Sequence, residues 1–286
     1  MGYPFDQGVV ANGGREGAMF GPKAIRNFFY KLTPHPIFGA PDFIIDFGDV
    51  MIEADSSIVA LDEKAYQFTR DVVKSLSTFC NLLTICIGGG HEFGYSSLKP
   101  FLDNQKEEWI VINVDAHLDV RPFLGIPHSG NPFYRLATDI PHFGPRFFEW
   151  GIQPSSCSRF HLKWLFEQGA SISFAEDLEC QFDVWLENKI NSMTKQKKIK
   201  CYLSVDIDAF AASLAPGCSA PQPYGIQLEP FQKLLKKLVS KTDLCWLGLF
   251  EVAPPLDGAD QRTSRLAAQI LFNALTELLC QKHKQS

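Results

Sequence analysis

The sequence predicts an α/β fold, a three-layer α/β/α arrangement with a mostly parallel central sheet. Three observations carry that prediction. Short apolar runs rich in β-branched and aromatic residues alternate with longer amphipathic stretches. The short runs are apolar throughout instead of alternating, as in strands buried on both faces. No linker, internal repeat or low-complexity segment interrupts the alternation, so residues 1–286 are expected to form one domain.

The predicted strands, in order, are FIIDFGDV at 43–50, LLTICIGGG at 82–90, WIVINVDA at 109–116, FFEWGI at 147–152, SISFAEDL at 171–178, CYLSVDID at 201–208 and LCWLGLFEV at 244–252. Between them, spacings of three and four mark helical stripes. One stripe is Phe68, Val72, Val73, Leu76 and Phe79; a second is Leu228, Phe231, Leu234, Leu235 and Leu238. The last is Leu266, Ile270, Leu271, Ala274, Leu275 and Leu278, in a final helix over 263–280 whose apolar face suits a core or an interface equally.

Composition narrows the function. With 45% hydrophobic residues the chain can bury a core, which excludes general disorder. Lys+Arg 27 against Asp+Glu 32 leaves a net charge of -5, without the basic excess that neutralises a phosphate backbone, so nucleic acid is not an expected partner. No apolar run approaches the roughly 18 residues that span a bilayer, and the start resembles no signal peptide, so no membrane partner and a cytoplasmic location are expected. Eight scattered cysteines, at positions 80, 86, 157, 180, 201, 218, 245 and 280, form no C-x-x-C pair and read as reduced thiols. The basic run from Lys195 to Lys200 has no interleaved aromatics and reads as a solvated loop.

In open parallel sheets, ligands sit outside the carboxyl ends of the strands. Four predicted strands end in ionisable residues: one in Gly88, Gly89, Gly90 and His91, the next in Asp115, His117 and Asp119, the third in Asp206 and Asp208, the fourth in Glu251. Alone, the glycine run with His91 is a tight turn, Asp206-Ile207-Asp208 a polar strand terminus and Glu251 a loop carboxylate. Together they point at one place. In extended chain, the i, i+2, i+4 spacing of Asp115, His117 and Asp119 puts all three on one face. Four converging aspartates repel by several kcal/mol at about 4 Å, so a positive charge must be bound among them. Two divalent cations balance four aspartates, and carboxylate-rich ligation with a minority of His and no Cys suits Mn²⁺ better than Zn²⁺.

At these residues the sequence resembles the ureohydrolases: arginases, agmatinases and formimidoylglutamases. The signatures are GGGHE at 88–92, DAHLD at 115–119 and SVDID at 204–208. The resemblance implies an arginase-like catalytic domain with two Mn²⁺ per subunit, held by His91, Asp115, His117, Asp119, Asp206 and Asp208. It implies that Asp115 and Asp206 bridge the ions, that His91 and Asp119 complete one and His117 and Asp208 the other, and that Glu251 receives the cationic amidine or guanidine end of a small-molecule substrate. It further implies a homo-oligomer, trimer or hexamer. GREGAMFGPKAIR at 14–26, DAHLDVRP at 115–122, APGCSAP at 215–221 and FEVAPPLDGADQRTSRLAA at 250–268 look most like formimidoylglutamases. That implies hydrolysis of N-formimidoyl-L-glutamate to L-glutamate and formamide, a step of histidine degradation.

Where arginases and agmatinases carry a His before the Gly of a Gly-x-Pro motif, this chain has Ser129, with His128 one residue early. His128 is then either a substitute proton shuttle or a loop histidine. Asp119 is a candidate to pass a proton to the departing amine. Asn131 and Arg121 are candidate substrate contacts, with Arg262 and Arg265 as other cations for the substrate carboxylates. The alternatives are a urea-releasing guanidino hydrolase and a non-catalytic relative; a mononuclear zinc deacetylase would need a His-His pair, which is absent.

Overall fold

The structure, a computed structural model, describes residues 1–51, 56–76, 79, 82–103, 105–178, 180–192 and 198–285. Seven strands form one sheet: β1 (Gly2–Tyr3), β2 (Thr84–Gly88), β3 (Trp109–Val114), β4 (Phe147–Ile152), β5 (Ser171–Phe174), β6 (Lys200–Asp206) and β7 (Asp243–Phe250). Their order is β1-β2-β7-β6-β3-β4-β5, and every neighbouring pair is parallel. Nine helices are described: α1 (Gln7–Ala11), α2 (Gly21–Phe29), α3 (Ile58–Leu76), α4 (Phe93–Leu102), α5 (Pro132–Asp139), α6 (Arg159–Glu167), α7 (Cys180–Asn191), α8 (Leu228–Lys241) and α9 (Arg262–Gln285).

Strand residues alternate between two cores because successive side chains leave opposite faces of a strand. Ile110, Ile112, Leu203, Val205, Leu247 and Leu249 meet the buried stripes of α2, α7, α8 and α9. Trp109, Val111, Tyr202, Trp246 and Phe250 face the other way, toward α3, α4, α5 and α6. Fully burying a side chain such as Leu203 or Ile112 contributes about 1.5–3 kcal/mol. In α9 the stripe through Ala267, Ile270, Leu271 and Ala274 is spent on the first core, which assigns that part of the final helix to packing.

One predicted strand does not form. The run at 43–50 touches the sheet only near its end, where Gly2 N–H donates to the Gly48 carbonyl and Val50 N–H to the Gly2 carbonyl. Phe43, Ile44 and Ile45 are at least half exposed, Gly48 turns the chain at φ 72°, and Asp46 and Asp49 are engaged by Arg26. The edge is taken instead by the two residues of β1, too short to show a hydropathy period. The predicted strands at 109–116 and 201–208 stop at Val114 and Asp206, where the chain turns.

The described thiols of Cys86, Cys157, Cys201, Cys218, Cys245 and Cys280 are free, and Cys80 lies outside the described residues. So do Lys195, Gln196 and Lys197 of the basic run; Lys198 donates to the carbonyls of Val239 and Ser240, and Lys200 pairs with Glu107. Among the described residues, no helix is long and apolar enough to cross a membrane.

Candidate metal centre

Register places the site. Ile87, Leu249, Val205 and Val114 lie side by side across β2, β7, β6 and β3, so these four strands end level with one another. Three of them, β2, β3 and β6, carry the predicted ligands, β7 carries Glu251, and all four are adjacent in the sheet. Asp206 closes β6 and Asp115 follows β3, both on the face covered by α3 to α6.

The triplets converge by turning, not by extension. Asp115 Oδ1 accepts the N–H of His117 at 2.7 Å, and Asp206 Oδ1 accepts that of Asp208 at 2.8 Å. Each aspartate thus caps the turn that presents the second residue after it. Asp119 sits at φ 47° and Glu251 at φ 65°, in the left-handed region that costs a non-glycine residue on the order of 1 kcal/mol or more. The strain falls on two predicted site residues.

All six predicted metal ligands come together, in two groups. His91, Asp115, Asp119 and Asp206 offer atoms within 4.8 Å of one another, and Asp115, His117 and Asp208 form a second such group. His91 Nδ1 lies 3.2 Å from Asp115 Oδ2, 2.9 Å from Asp119 Oδ2 and 3.2 Å from Asp206 Oδ2. His117 Nδ1 lies 3.4 Å from Asp115 Oδ1 and 3.2 Å from Asp208 Oδ2. Asp115 therefore serves both groups, one oxygen to each, whereas Asp206 belongs to the first alone.

Neighbours hold His91 rigidly. Its Nε2 is 2.9 Å from Ser204 Oγ, which fixes the ring while Nδ1 faces the carboxylates. Phe250 stacks on the imidazole at 4.8 Å between centroids, and Phe133 of α5 stands edge-on at 5.5 Å. The Phe250 ring fits because Gly88 and Gly248 lack side chains: a Cβ on Gly88 would lie 2.1 Å from that ring and one on Gly248 2.5 Å from it.

The donor set fits a metal. Buried His91 Nδ1 makes no hydrogen bond despite three close carboxylates, so its lone pair faces the space between them, and buried Asp208 Oδ1 also lacks a partner. Among the described residues, no lysine or arginine pairs with any of the four aspartates. Burial and the neighbouring carboxylates raise the pKa values of Asp206 and Asp208, and burial with Asp115 raises Asp119 to about 6. Burial also disfavours a charged imidazole at His91, but the aspartates outweigh it and hold the pKa well up; Asp208 does the same at His117. At Asp115 the two imidazoles outweigh burial and hold the carboxyl below its usual range.

Glu251 closes the first group. It is buried, its Oε1 accepts the His91 N–H at 2.8 Å, and its Oε2 has no partner. Glu92, of the GGGHE signature, points away and accepts the Gly8 N–H at 2.9 Å; burial lifts its carboxyl to about 8.

The loop after Asp119 meets the N-terminal segment. Arg121 Nη1 donates to Asn12 Oδ1 at 2.6 Å, and Asn12 Nδ2 donates to Ser129 Oγ at 3.0 Å. His128 stands outside both metal groups: its Nδ1 accepts the Gly130 N–H at 3.2 Å, and burial with Arg121 and Arg135 lowers its pKa. The residue of this stretch that reaches the ligands is Phe133, which carries no proton. Asn131 is fully buried with its amide spent on the loop, accepting from His128 N–H and donating to the Ile126 carbonyl. Arg262 is held by Asp260 and the Ser213 carbonyl, and Arg265 by the Asp260 carbonyl and the Phe28 ring.

Sequence reasoning missed Asn12, Asn113, Glu149 and Ser204. Only the last three left a signal, as polar residues inside apolar strand runs.

A protein of this fold, with acid-rich donor groups where four parallel strands end, falls in a known class: the arginase family model matches residues 1–276, and the chain belongs to that family. It is a hydrolase whose relatives point to one branch of the family. The chain is 33% identical to the formimidoylglutamase of Streptococcus gordonii over 99% of its own length and 84% of the relative, and 33% identical to that of Legionella pneumophila over 96% and 83%. Among solved structures, formimidoylglutamase from Bacillus subtilis matches with a TM-score of 0.84 at 25% identity, covering 97% of this chain and 85% of that one. Formiminoglutamase from Trypanosoma cruzi, solved with Mn²⁺, matches at 0.81 and 26%, covering 97% and 92%.

Proposed function

We propose that this hydrolase cleaves N-formimidoyl-L-glutamate to L-glutamate and formamide, a step of histidine degradation, at a centre of two Mn²⁺ ions. The observation that carries the reading is the pair of donor groups sharing Asp115, acid-rich and without a basic partner. His91, Asp115, Asp119 and Asp206 would hold one ion, and Asp115, His117 and Asp208 the other. When bound, the ions supply Lewis-acid polarisation and lower the pKa of water, so that hydrolysis proceeds near neutral pH.

Protein groups do the rest. Glu251, with Oε1 fixed by the His91 N–H, offers Oε2 to an N–H of the protonated amidine, a charge-assisted contact that orients the carbon for attack. Asp119, one of the four residues of the first group, is the carboxylate that would pass a proton to the leaving amine. Arg121, steadied by Asn12, is the cation for a substrate carboxylate, since Arg262 and Arg265 are engaged elsewhere. His128 and Asn131 order the loop beside it.

The test is a substrate panel on protein loaded with Mn²⁺, with metal analysis of the same preparation. Formamide and glutamate released from formimidoylglutamate support the reading. No turnover there, with urea released from agmatine or arginine, overturns it. Light scattering on the same sample decides whether the chain forms the trimer or hexamer proposed from the resemblance.

A further inference from the structure

Below the ligands lies a second level row. Gly248, Ser204, Asn113 and Glu149 are consecutive partners across β7, β6, β3 and β4, and they face the same side as the site. Three of the four are polar and fully buried, in a sheet whose strand residues are mostly apolar. Ser204 supports His91. Asn113, two residues before Asp115 and on the same face, donates from Nδ2 to Asp115 Oδ2 at 3.2 Å and to Glu149 Oε2 at 2.9 Å. Glu149 lies on β4, which pairs with β3 and gives no residue to either donor group.

From this row we infer that Asn113 and Glu149 form a buried strut: Glu149 anchors the Asn113 amide, and the amide fixes the turn of the Asp115 carboxylate that both donor groups share. The inference rests on the metal-site reading above. Geometry favours it in two ways. An amide with both N–H groups committed to carboxylates cannot flip, because its oxygen would then face two acceptors. Asp115 is also the ligand whose orientation matters most, since Oδ2 serves the first group and Oδ1 the second. The arrangement is costly as packing alone: Glu149 Oε1 and Asn113 Oδ1 are buried without hydrogen bonds. A strand residue kept only for stability would be apolar.

Glu149 is thus a positioning residue, and its test reads Mn²⁺ itself. Titration calorimetry of EDTA-stripped protein with Mn²⁺ should give a Kd raised about 10–100-fold in Glu149→Met, the range typical when an outer-shell partner of a ligand is lost. Glu149→Gln, whose amide oxygen still accepts from Asn113, should return to within about 3-fold of wild type on the same scale. Glu149→Met should leave the Tm of the metal-free protein nearly unchanged, because loss of the unpaired Oε1 offsets the Asn113 N–H left without its acceptor. An unchanged Kd in folded Glu149→Met overturns the strut, as does a Tm loss with unaltered affinity. If wild type itself takes up no Mn²⁺, the underlying metal reading fails instead. Should Glu149→Met not fold, Asn113→Leu carries the same expectation, and an unchanged Kd there counts equally against the strut.

Discussion

Two acidic clusters in this protein settle their charge in opposite ways. Near β1, Asp46 and Asp49 surround Arg26: Nε lies 2.9 Å from Asp46 Oδ2 and Nη1 2.5 Å from Asp49 Oδ1, while Tyr30 adds a hydrogen bond to Asp46 at 2.6 Å. Burial would raise the Asp46 carboxyl, but Tyr30, Arg26 and the Gly48 N–H hold it well below the usual range. At the carboxyl ends of the strands, four aspartates meet only two imidazoles, and burial drives Asp119, Asp206 and Asp208 upward. The first cluster is complete within the chain. The second, without a lysine or arginine partner among the described residues, is a socket of the kind that could hold a metal ion.

The largest expected effect breaks the socket. Asp208→Asn or Asp119→Asn should lower bound Mn²⁺, measured by elemental analysis, and reduce kcat/KM by more than about 100-fold, beyond what outer-shell losses cause. Full metal content and full rate in both variants would erase the difference between the clusters.

Next is metal removal. If Mn²⁺ is present at about 100 times its Kd, binding stabilises the fold by about 2.7 kcal/mol, so EDTA should lower the Tm by several degrees. Arg26→Leu tests the other cluster: it should destabilise the fold by about 1–2 kcal/mol in urea titrations, since two partly buried carboxylates lose their partner, and leave Mn²⁺ affinity unaltered.

The smallest effects lie in pH, and their signs are opposite. Asp119 is raised from 3.8 to about 6 in the metal-free fold, which binds more protons than the unfolded chain between those values. Its contribution is favourable below about 4 and is lost as pH rises through about 6. Wild type minus Asp119→Asn, both with EDTA, should therefore lose stability over that window, and Mn²⁺ should abolish the trend. Asp46 is depressed, so its contribution is present above about 4 and lost as pH falls below it; being partly exposed, it is worth less than about 1 kcal/mol. Denaturant midpoints across pH 3.5–7 check both signs.

Much of this contrast was legible in the sequence. Continuous apolar runs located six strands, and the ionisable residues at the ends of three of them are the six that gather into the two donor groups. The turns were less legible: Asp115, His117 and Asp119 looked extended, but the left-handed φ of Asp119 belongs to the loop, which residue spacing does not encode. The 43–50 run misled because three of its apolar residues, Phe43, Ile44 and Ile45, are exposed. Glu149 gave a signal, a lone carboxylate in FFEWGI, yet its meaning depends on β4 pairing with β3, which hydropathy cannot reveal. His128 drew attention because it stands one residue before the position where arginases and agmatinases carry a His, and only the fold shows that Phe133 is the residue of this stretch beside His91.

The hydrogen bond from His91 N–H to Glu251 spans 160 residues. All six donors lie between His91 and Asp208, and Glu251 follows 43 residues later. During synthesis at about 5–20 residues per second, the interval between the emergence of His91 and that of Glu251 lasts on the order of ten seconds. The six donors are thus all made before β7, yet β7 lies between β2 and β6 in the sheet, so the strands that carry His91 and Asp206 are joined only once that late strand is in place.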